Sequence, residues 1–247
     1  MEETIAGKHA VLEALRSGRT VNKIWLAQGS APHQLQAVVE EAKKLGVMYQ
    51  FVDRRKLDQM VDKDVRHQGV VAQAAPYEYA DLEDLFQVAA ERNEAPFFVV
   101  LDEIEDPHNL GSVIRTVECA GAHGVIIPKR RSAQVTAVVA RTSAGAAAFV
   151  PVARVSNLAQ AIDALKLRGV WIAGADAAAE QTAYEADLTG PLAIVIGSEG
   201  KGLSRLIREK CDYLVKLPLL GRIRSLNASV AAGILLYEAV RQRTARE

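Results

Sequence analysis

The chain has 247 residues, 49% of them apolar and 5% aromatic, and its 30 Lys/Arg exactly offset its 30 Asp/Glu. That length allows one large domain or two ordinary ones, with a core built mainly from Ala, Val, Leu and Ile. No apolar stretch approaches the roughly 20 residues that span a bilayer. The first ten residues, MEETIAGKHA, show no basic segment followed by an apolar one, so a cytoplasmic protein is expected. The charge is unevenly spread. Residues 1–76 carry 11 Lys/Arg against 9 Asp/Glu, residues 77–96 carry 1 against 6, and residues 97–247 carry 18 against 15. Both flanks of the acidic segment are mildly basic, which leaves room for a basic face on each. Cys119 and Cys211 form no CxxC pair and read as reduced, buried thiols. No ligand-spaced Cys/His cluster is present, so no metal site is expected.

Apolar periodicity predicts a helix over 4–16, ended by Ser17 and Gly18, and a strand over 23–27. A helix over 32–45 starts at a proline and stops before Gly46. A strand at 47–52, a short helix at 54–61 and a strand at 69–74, closed by Pro76, complete an α/β unit of residues 1–76. His67, at the entrance to the last strand, reads either as a turn residue or as an RNA contact. The acidic residues 77–96 are expected to be a linker containing a helix over 81–92; the alternative is that this helix is the first of the second domain.

From residue 97 the pattern alternates strand and helix, which predicts a mostly parallel sheet. Strands are expected at 97–101, 124–128, 149–152, 170–173, 192–196 and 213–217. Helices are expected from Asn109, as the cap, to Ala120, and over 135–142, 158–167, 203–210 and from about Ala228. Lys129-Arg130-Arg131 is a basic triplet on a loop, either a solvated turn or a phosphate contact. The small residues 143–147 would permit close approach of a backbone or ligand. In open α/β sheets ligands sit beyond the carboxyl ends of the strands. Two consecutive strands here, 192–196 and 213–217, each run into a loop of glycines and polar groups, which places a pocket. There is no GxGxxG and no GxxxxGK[ST], so a dinucleotide fold and a P-loop enzyme are both disfavoured.

Three blocks stand out together: DPHNLGSVIRT at 106–116, IVIGSEGKGL at 194–203 and IRSLNASVA at 223–231. They resemble, in the same order, the three motifs of the SpoU (TrmH-like) branch of the SPOUT methyltransferases. Residues 1–76 are similar to the substrate-binding domain, related to ribosomal protein L30e, that precedes the catalytic domain in RlmB-type members. The resemblance implies a C-terminal SPOUT domain of residues 97–247 with a deep trefoil knot, an exception to ordinary chain topology. It also implies S-adenosylmethionine as cofactor, a homodimer with the site at its interface, and methylation of a ribose 2′-hydroxyl. Large-subunit ribosomal RNA, at a guanosine, is the expected substrate. Transfer RNA is the alternative within the class, and a non-catalytic RNA-binding or ribosome-assembly protein the alternative outside it. Arg115, Glu199 and Asn227 all stand at their motif positions, against that last alternative.

By the same resemblance Gly197, Leu217, Leu226 and Asn227 line the adenosyl pocket, with Gly174 and residues 143–146 as weaker candidates for its wall. The catalytic set is Arg115, Asn109, Glu199, Ser225 and Asn227. The reaction is an in-line displacement that needs alignment and loss of the hydroxyl proton, and no metal. Arg115 is expected to orient the hydroxyl and neutralise the adjacent phosphate, since a guanidinium stays protonated and makes a poor base. Asn109 opens the same helix and Arg115 lies about 600° further round it, on another face. Glu199 is expected to orient Arg115 or the substrate. Ser225 and Asn227 either contact the ribose and cofactor or merely cap the last helix. Arg222 and Arg224 are expected to hold RNA phosphate. Base stacking is limited to Trp25, Tyr49 or Phe51, which otherwise belong to the core.

Overall fold

The computed structural model describes residues 3–16, 20–29, 32–61, 65–75 and 77–245. They form two compact units: Met1–Glu78 with Val135–Ala148, and Tyr79–Gln134 with Phe149–Glu247. The helix stop expected at Ser17 and Gly18 and the strand stop expected at Pro76 lie outside the described residues.

In the first unit the chain runs β1 (Glu3–Ala6), α1 (Lys8–Arg16), β2 (Val21–Ala27), α2 (Pro32–Lys44), β3 (Met48–Val52), α3 (Arg54–Gln59) and β4 (Val70–Ala74). The sheet order is β1-β4-β2-β3, with β2 and β3 parallel and the other pairs antiparallel. Successive side chains of a strand face opposite sides. Ile24 and Leu26 of β2 therefore join Val70, Ala72 and Ala74 of β4 under α1 and α2, while Trp25, Ala27 and Val71 face Leu57 of α3. The start of the chain departs from expectation. Residues 3–6 are a strand, with Ile5 opposite Ala72, and Gly7 at φ 103° turns the backbone into α1. His67 is buried. Its Nδ1 accepts the Gly69 N–H at 3.0 Å and its Nε2 lies 2.9 Å from Asp58 Oδ1, so it fixes the turn into β4 and is withdrawn from RNA. Trp25 is buried too, whereas Phe51, on the edge strand, is 48% exposed. The helix α6 (Ala137–Thr142), although late in the sequence, packs on α1 in this unit.

The second unit contains α4 (Leu82–Glu91), β5 (Phe97–Leu101), α5 (Pro107–Cys119), β6 (Gly124–Pro128), β7 (Val152–Val155), α7 (Leu158–Leu167), β8 (Trp171–Ala175), β9 (Leu192–Ile196), α8 (Arg205–Lys210), β10 (Tyr213–Val215) and α9 (Ala228–Thr244). Its six strands are all parallel, in the order β10-β8-β9-β5-β6-β7. The central strands β5 (FFVVL) and β9 (LAIVI) are buried at every position, as continuous apolar runs covered on both faces should be. α4, α7 and α8 cover one face around Phe98, Val100, Ile172 and Val195. On the other side α5 and α9 pack on each other, α5 against β6 and α9 against β9.

The acidic segment therefore holds a structural helix. α4 buries Leu85, Phe86 and Ala89 and keeps Glu83 and Asp84 in its first turn, where the helix dipole favours them. β7 begins three residues later than expected, because Pro151 has no N–H to give a ladder; Phe149, expected inside it, is 76% exposed. Cys119 is exposed at the end of α5, contrary to the expected burial. Cys211 is half-buried, and burial pushes its thiol pKa up to about 12. Among the described residues no helix is long and apolar enough to cross a membrane, and no group of three or more His, Cys, Asp or Glu could hold a metal ion.

Candidate active site

The loops at the carboxyl ends of β5 and β9 are tied together by a buried carboxylate. Asp102, just past β5, sends its N–H to Ile196 O at 2.8 Å and accepts the Ser204 N–H on Oδ2 at 2.7 Å. After β9 the chain folds back on itself, with Ser198 and Gly202 exchanging backbone hydrogen bonds of 3.0 and 2.9 Å. Gly197 is required for that return. A Cβ there would lie 2.1 Å from Gly202 C and 2.3 Å from Leu203 N. The close approach expected of this glycine is thus to its own loop. The tight turn carries Glu199 at its head, with Gly200 at φ 82° and Gly202 at φ 67°.

On the β5 side, Asp106 caps α5, its carboxylate accepting the His108 N–H at 2.8 Å, and Pro107 opens the helix. Asn109, expected as the cap, lies instead in the first turn with its side chain 5% exposed. Its amide donates to Glu199 Oε1 at 3.0 Å. Asn227 donates to the same oxygen at 2.5 Å and to Asn109 Oδ1 at 2.9 Å. Asn227 also caps α9, its Oδ1 accepting from Ser229 N and Oγ and from Val230 N. One cluster therefore joins the three sequence blocks through Asn109, Glu199 and Asn227. Asn227 thus caps the helix, as one of its two readings had it, and in addition belongs to the cluster. Glu199 Oε1 takes two amide hydrogens, while Oε2 has no protein partner among the described residues. A cleft of about 250 Å³ opens beside it, lined by Glu103, Asp106, Asn109, Ser198, Glu199 and Lys201.

The other expected site residues are less closely drawn in. Arg115 is exposed on α5, and no contact joins it to Glu199, whose hydrogen bonds go to the two asparagines. Gly174 lies inside β8, where a Cβ would meet Cys211 Sγ at 2.7 Å, Leu214 Cδ2 at 2.7 Å and Leu203 Cδ1 at 2.9 Å; its smallness serves core packing. Residues 143–146 fold in the first unit, where Ser143 Oγ bonds Ala140 O and Gly145 sits at φ 89° in a tight helix end. Leu217 is half-buried, Leu226 is 38% exposed, and Ser225 is exposed. The backbone of residues 217–226 makes no hydrogen bond to the described residues. In the triplet, Arg131 is held by Glu103 at 2.8 Å, whereas Lys129 and Arg130 are exposed with no carboxylate partner among the described residues. Asp102 and Asp106 escaped the sequence reading, although Asp immediately before Pro at a helix start is a usable signal for the second.

Residues 96–237 match the model of the SpoU rRNA Methylase family, and residues 4–80 match that of the RNA 2′-O ribose methyltransferase substrate-binding domain. The chain belongs to the SpoU methylase family. A family relative in Bacillus subtilis (strain 168), YacO, named for the TrmH family of tRNA/rRNA methyltransferases, is 55% identical over 97% of this chain and 95% of its own. Among solved structures, the SpoU methyltransferase AviRb of Streptomyces viridochromogenes in complex with AdoMet superposes with a TM-score of 0.78 at 27% identity, covering 98% of this chain and 91% of its own. The AdoMet-bound rRNA methyltransferase of Sinorhizobium meliloti gives 0.70 at 25% identity, covering 97% and 87%. This SpoU member therefore has the fold of an RNA ribose 2′-O-methyltransferase preceded by a substrate-binding domain.

Proposed function

We propose that the protein transfers a methyl group from S-adenosylmethionine to a ribose 2′-hydroxyl of large-subunit ribosomal RNA, at a guanosine, in the cytoplasm. The observation that carries this is the Asn109–Glu199–Asn227 cluster, in which the three family blocks meet at the carboxyl edge of a parallel sheet. The ribosomal substrate rests on the rRNA methylase model and the guanosine on the sequence resemblance; the relatives' names embrace transfer RNA as well.

The residues fit the cofactor. Ten consecutive residues, 217–226, most of them exposed, carry backbone groups without protein partners among the described residues. They are free to bond an adenine edge and ribose, with Leu217 and Leu226 supplying apolar surface. Gly197 acts indirectly, by allowing the loop beside the cofactor to close on itself. When bound, S-adenosylmethionine supplies a methyl group on a sulfonium. The protein's task is to bring the hydroxyl into line with it. Glu199 Oε2, with Oε1 fixed by two asparagines, is the acceptor for the hydroxyl hydrogen. Arg115 neutralises the neighbouring phosphate, a role suited to a permanently charged fork. Arg222 and Arg224, exposed on the 217–226 segment, hold further phosphate, and the first unit docks the RNA fold, with Phe51 as its available stacking surface.

We read the protein as a homodimer in which the C-terminal segment of each catalytic domain forms a trefoil knot. α9 is mainly apolar on both faces from Ala228 to Tyr237. Ala232, Leu235, Leu236 and Ala239 are buried, while Val230, Ile234 and Tyr237 form an exposed stripe at helical spacing. A second copy of the same stripe is the self-complementary cover that a two-fold axis provides.

The test is transfer of labelled methyl from S-adenosylmethionine to unmodified total RNA, followed by mapping of alkali-resistant positions. One site in large-subunit rRNA is the expected result. A site in transfer RNA would keep the chemistry and replace the substrate. Cofactor binding with no transfer to naked RNA or assembling particles would overturn the enzymatic reading.

A further inference from the structure

Several cations of the second unit are paired with carboxylates, among them Lys166 with Asp212, Arg168 with Glu83, Arg208 with Asp176, Lys210 with Asp163 and Arg241 with Glu238, at 2.6–3.0 Å. At the carboxyl ends of β6 and β7 the pairing lapses. Lys129 follows β6 directly and is exposed, and neither it nor Arg154, in β7, has a carboxylate partner among the described residues. Arg154 is instead held in place without being discharged. Its guanidinium lies 5.0 Å from the Tyr79 ring centre, and one of its nitrogens donates to the Lys129 carbonyl at 3.4 Å. The two charges face a single cleft of about 430 Å³. Its floor is Ser156, Asn157 and Gln160, at the start of the ten-residue helix α7. Its one acidic wall, Asp81, is the N-cap of α4, where the positive end of that helix faces its charge.

The position of the cleft gives it a role. All six strands are parallel, so the ends of β6 and β7 lie on the same edge as the Asp102–Asn109 loop. β7 is two strands from β5, about 10 Å along that edge. The intervening loop is anchored to the active-site loop by Arg131–Glu103 at 2.8 Å and by Ala133 N–H to Ile104 O at 2.8 Å. An unpaired Arg–Lys couple in a polar cleft suits a phosphodiester, which accepts hydrogen bonds from a guanidinium fork and an ammonium together.

We propose that Lys129 and Arg154, with the polar start of α7, form a subsite for a backbone phosphate of the RNA flanking the reactive nucleotide, setting its register across the sheet edge. This rests on the reading of the protein as an RNA-acting enzyme, but its test does not require turnover. Contacts of this kind add affinity independent of sequence and make it salt-dependent. Binding of the full-length protein to fluorescently labelled 23S rRNA transcript and to unmodified tRNA, followed from 50 to 300 mM salt, reads it directly. Lys129→Glu, at an exposed side chain, and the Lys129→Ala/Arg154→Ala pair should each weaken binding several-fold at low salt. The pair should also flatten the log–log salt slope by about one to two. S-adenosylmethionine affinity and melting temperature should be unchanged for Lys129→Glu. Arg168→Ala, removed from a neutralised pair, should leave RNA binding as it was. An unchanged affinity and slope in both variants would overturn the subsite. So would a parallel loss of cofactor affinity in Lys129→Glu, since the charge would then serve the fold. Wild-type binding with no methyl transfer would count against the proposed function alone.

Discussion

The two ends of the second unit's sheet are built on opposite principles. At the amino ends of the strands, His123, Arg243 and Gln242 are all held by protein partners. His123 is buried between the Phe97 N–H, accepted on Nδ1 at 3.0 Å, and Glu94, 2.9 Å from Nε2. Arg243 lies over the Phe97 ring and donates to the carbonyls of Gly190 at 2.6 Å and of Leu188 and Ala95 at 3.4 Å. Gln242 accepts from Leu188 N and donates to Ala186 O. At the carboxyl ends, Glu199 Oε2 and the backbone of 217–226 have no such partners among the described residues, and the cations Lys129 and Arg154 have no carboxylate partner there. One end closes the fold; the other holds groups in place for something outside the chain. Local rules of satisfaction lapse where function needs the groups.

The sharpest way to break this contrast is at Arg115 and Glu199. Arg115→Ala and Glu199→Ala should each lower methyl transfer by about 10²–10³-fold, the usual cost of removing one transition-state partner, with Arg115→Ala keeping cofactor affinity by calorimetry. Loss of cofactor binding in a folded Arg115→Ala protein would remove that residue from the hydroxyl's side of the reaction. Next in size is Gly197→Ala, whose Cβ must displace backbone and not a flexible side chain. It should cost stability toward the top of the roughly 1–3 kcal/mol of overpacked sites, together with activity, because the turn that presents Glu199 would open. At the other end Arg243→Ala should remove about 2 kcal/mol in denaturant unfolding, through charge-assisted bonds to carbonyls, while activity per folded molecule stays unchanged. If Arg243→Ala impaired catalysis as strongly as stability, the division of labour between the two ends would fail.

The smallest effect is in pH. Burial holds the His123 pKa below its ordinary value of 6.5, outweighing the opposing pull of Glu94. The unfolded chain therefore takes up this proton first as pH falls. The stabilisation is complete above about 6.5 and is lost as pH drops from there toward the folded value. Melting temperature should decline as pH falls below about 6.5, and His123→Gln should lose that part of the decline.

Asn109 shows where sequence reasoning stops. Its place in a family block marks it as important, and Asn near a helix start reads locally as a cap. Asp106, one residue before Pro107, is the better cap, which releases Asn109 to turn inward toward a glutamate ninety residues away. Likewise, Gly197 and Gly174 are both glycines at strand ends or nearby, yet only close contacts distinguish a loop returning on itself from a packed core. The acidic run 77–96 read as a linker with a helix, or as the first helix of the second domain; Leu85, Phe86 and Ala89 share the face that α4 buries.

By itself the sequence determined the alternation of strand and helix, the parallel sheet, the class of pocket and the family. Each of these follows from periodicity or from short ordered motifs, which are properties of neighbours along the chain. Tertiary structure alone decided which glycine meets which backbone, that residues 135–148 fold with the first unit, and that two distant asparagines share one carboxylate oxygen of Glu199. It also decided which cations are discharged and which are not. Most of those are contacts between residues tens to more than a hundred positions apart, and they depend on strand order, here β10-β8-β9-β5-β6-β7, which no local pattern encodes.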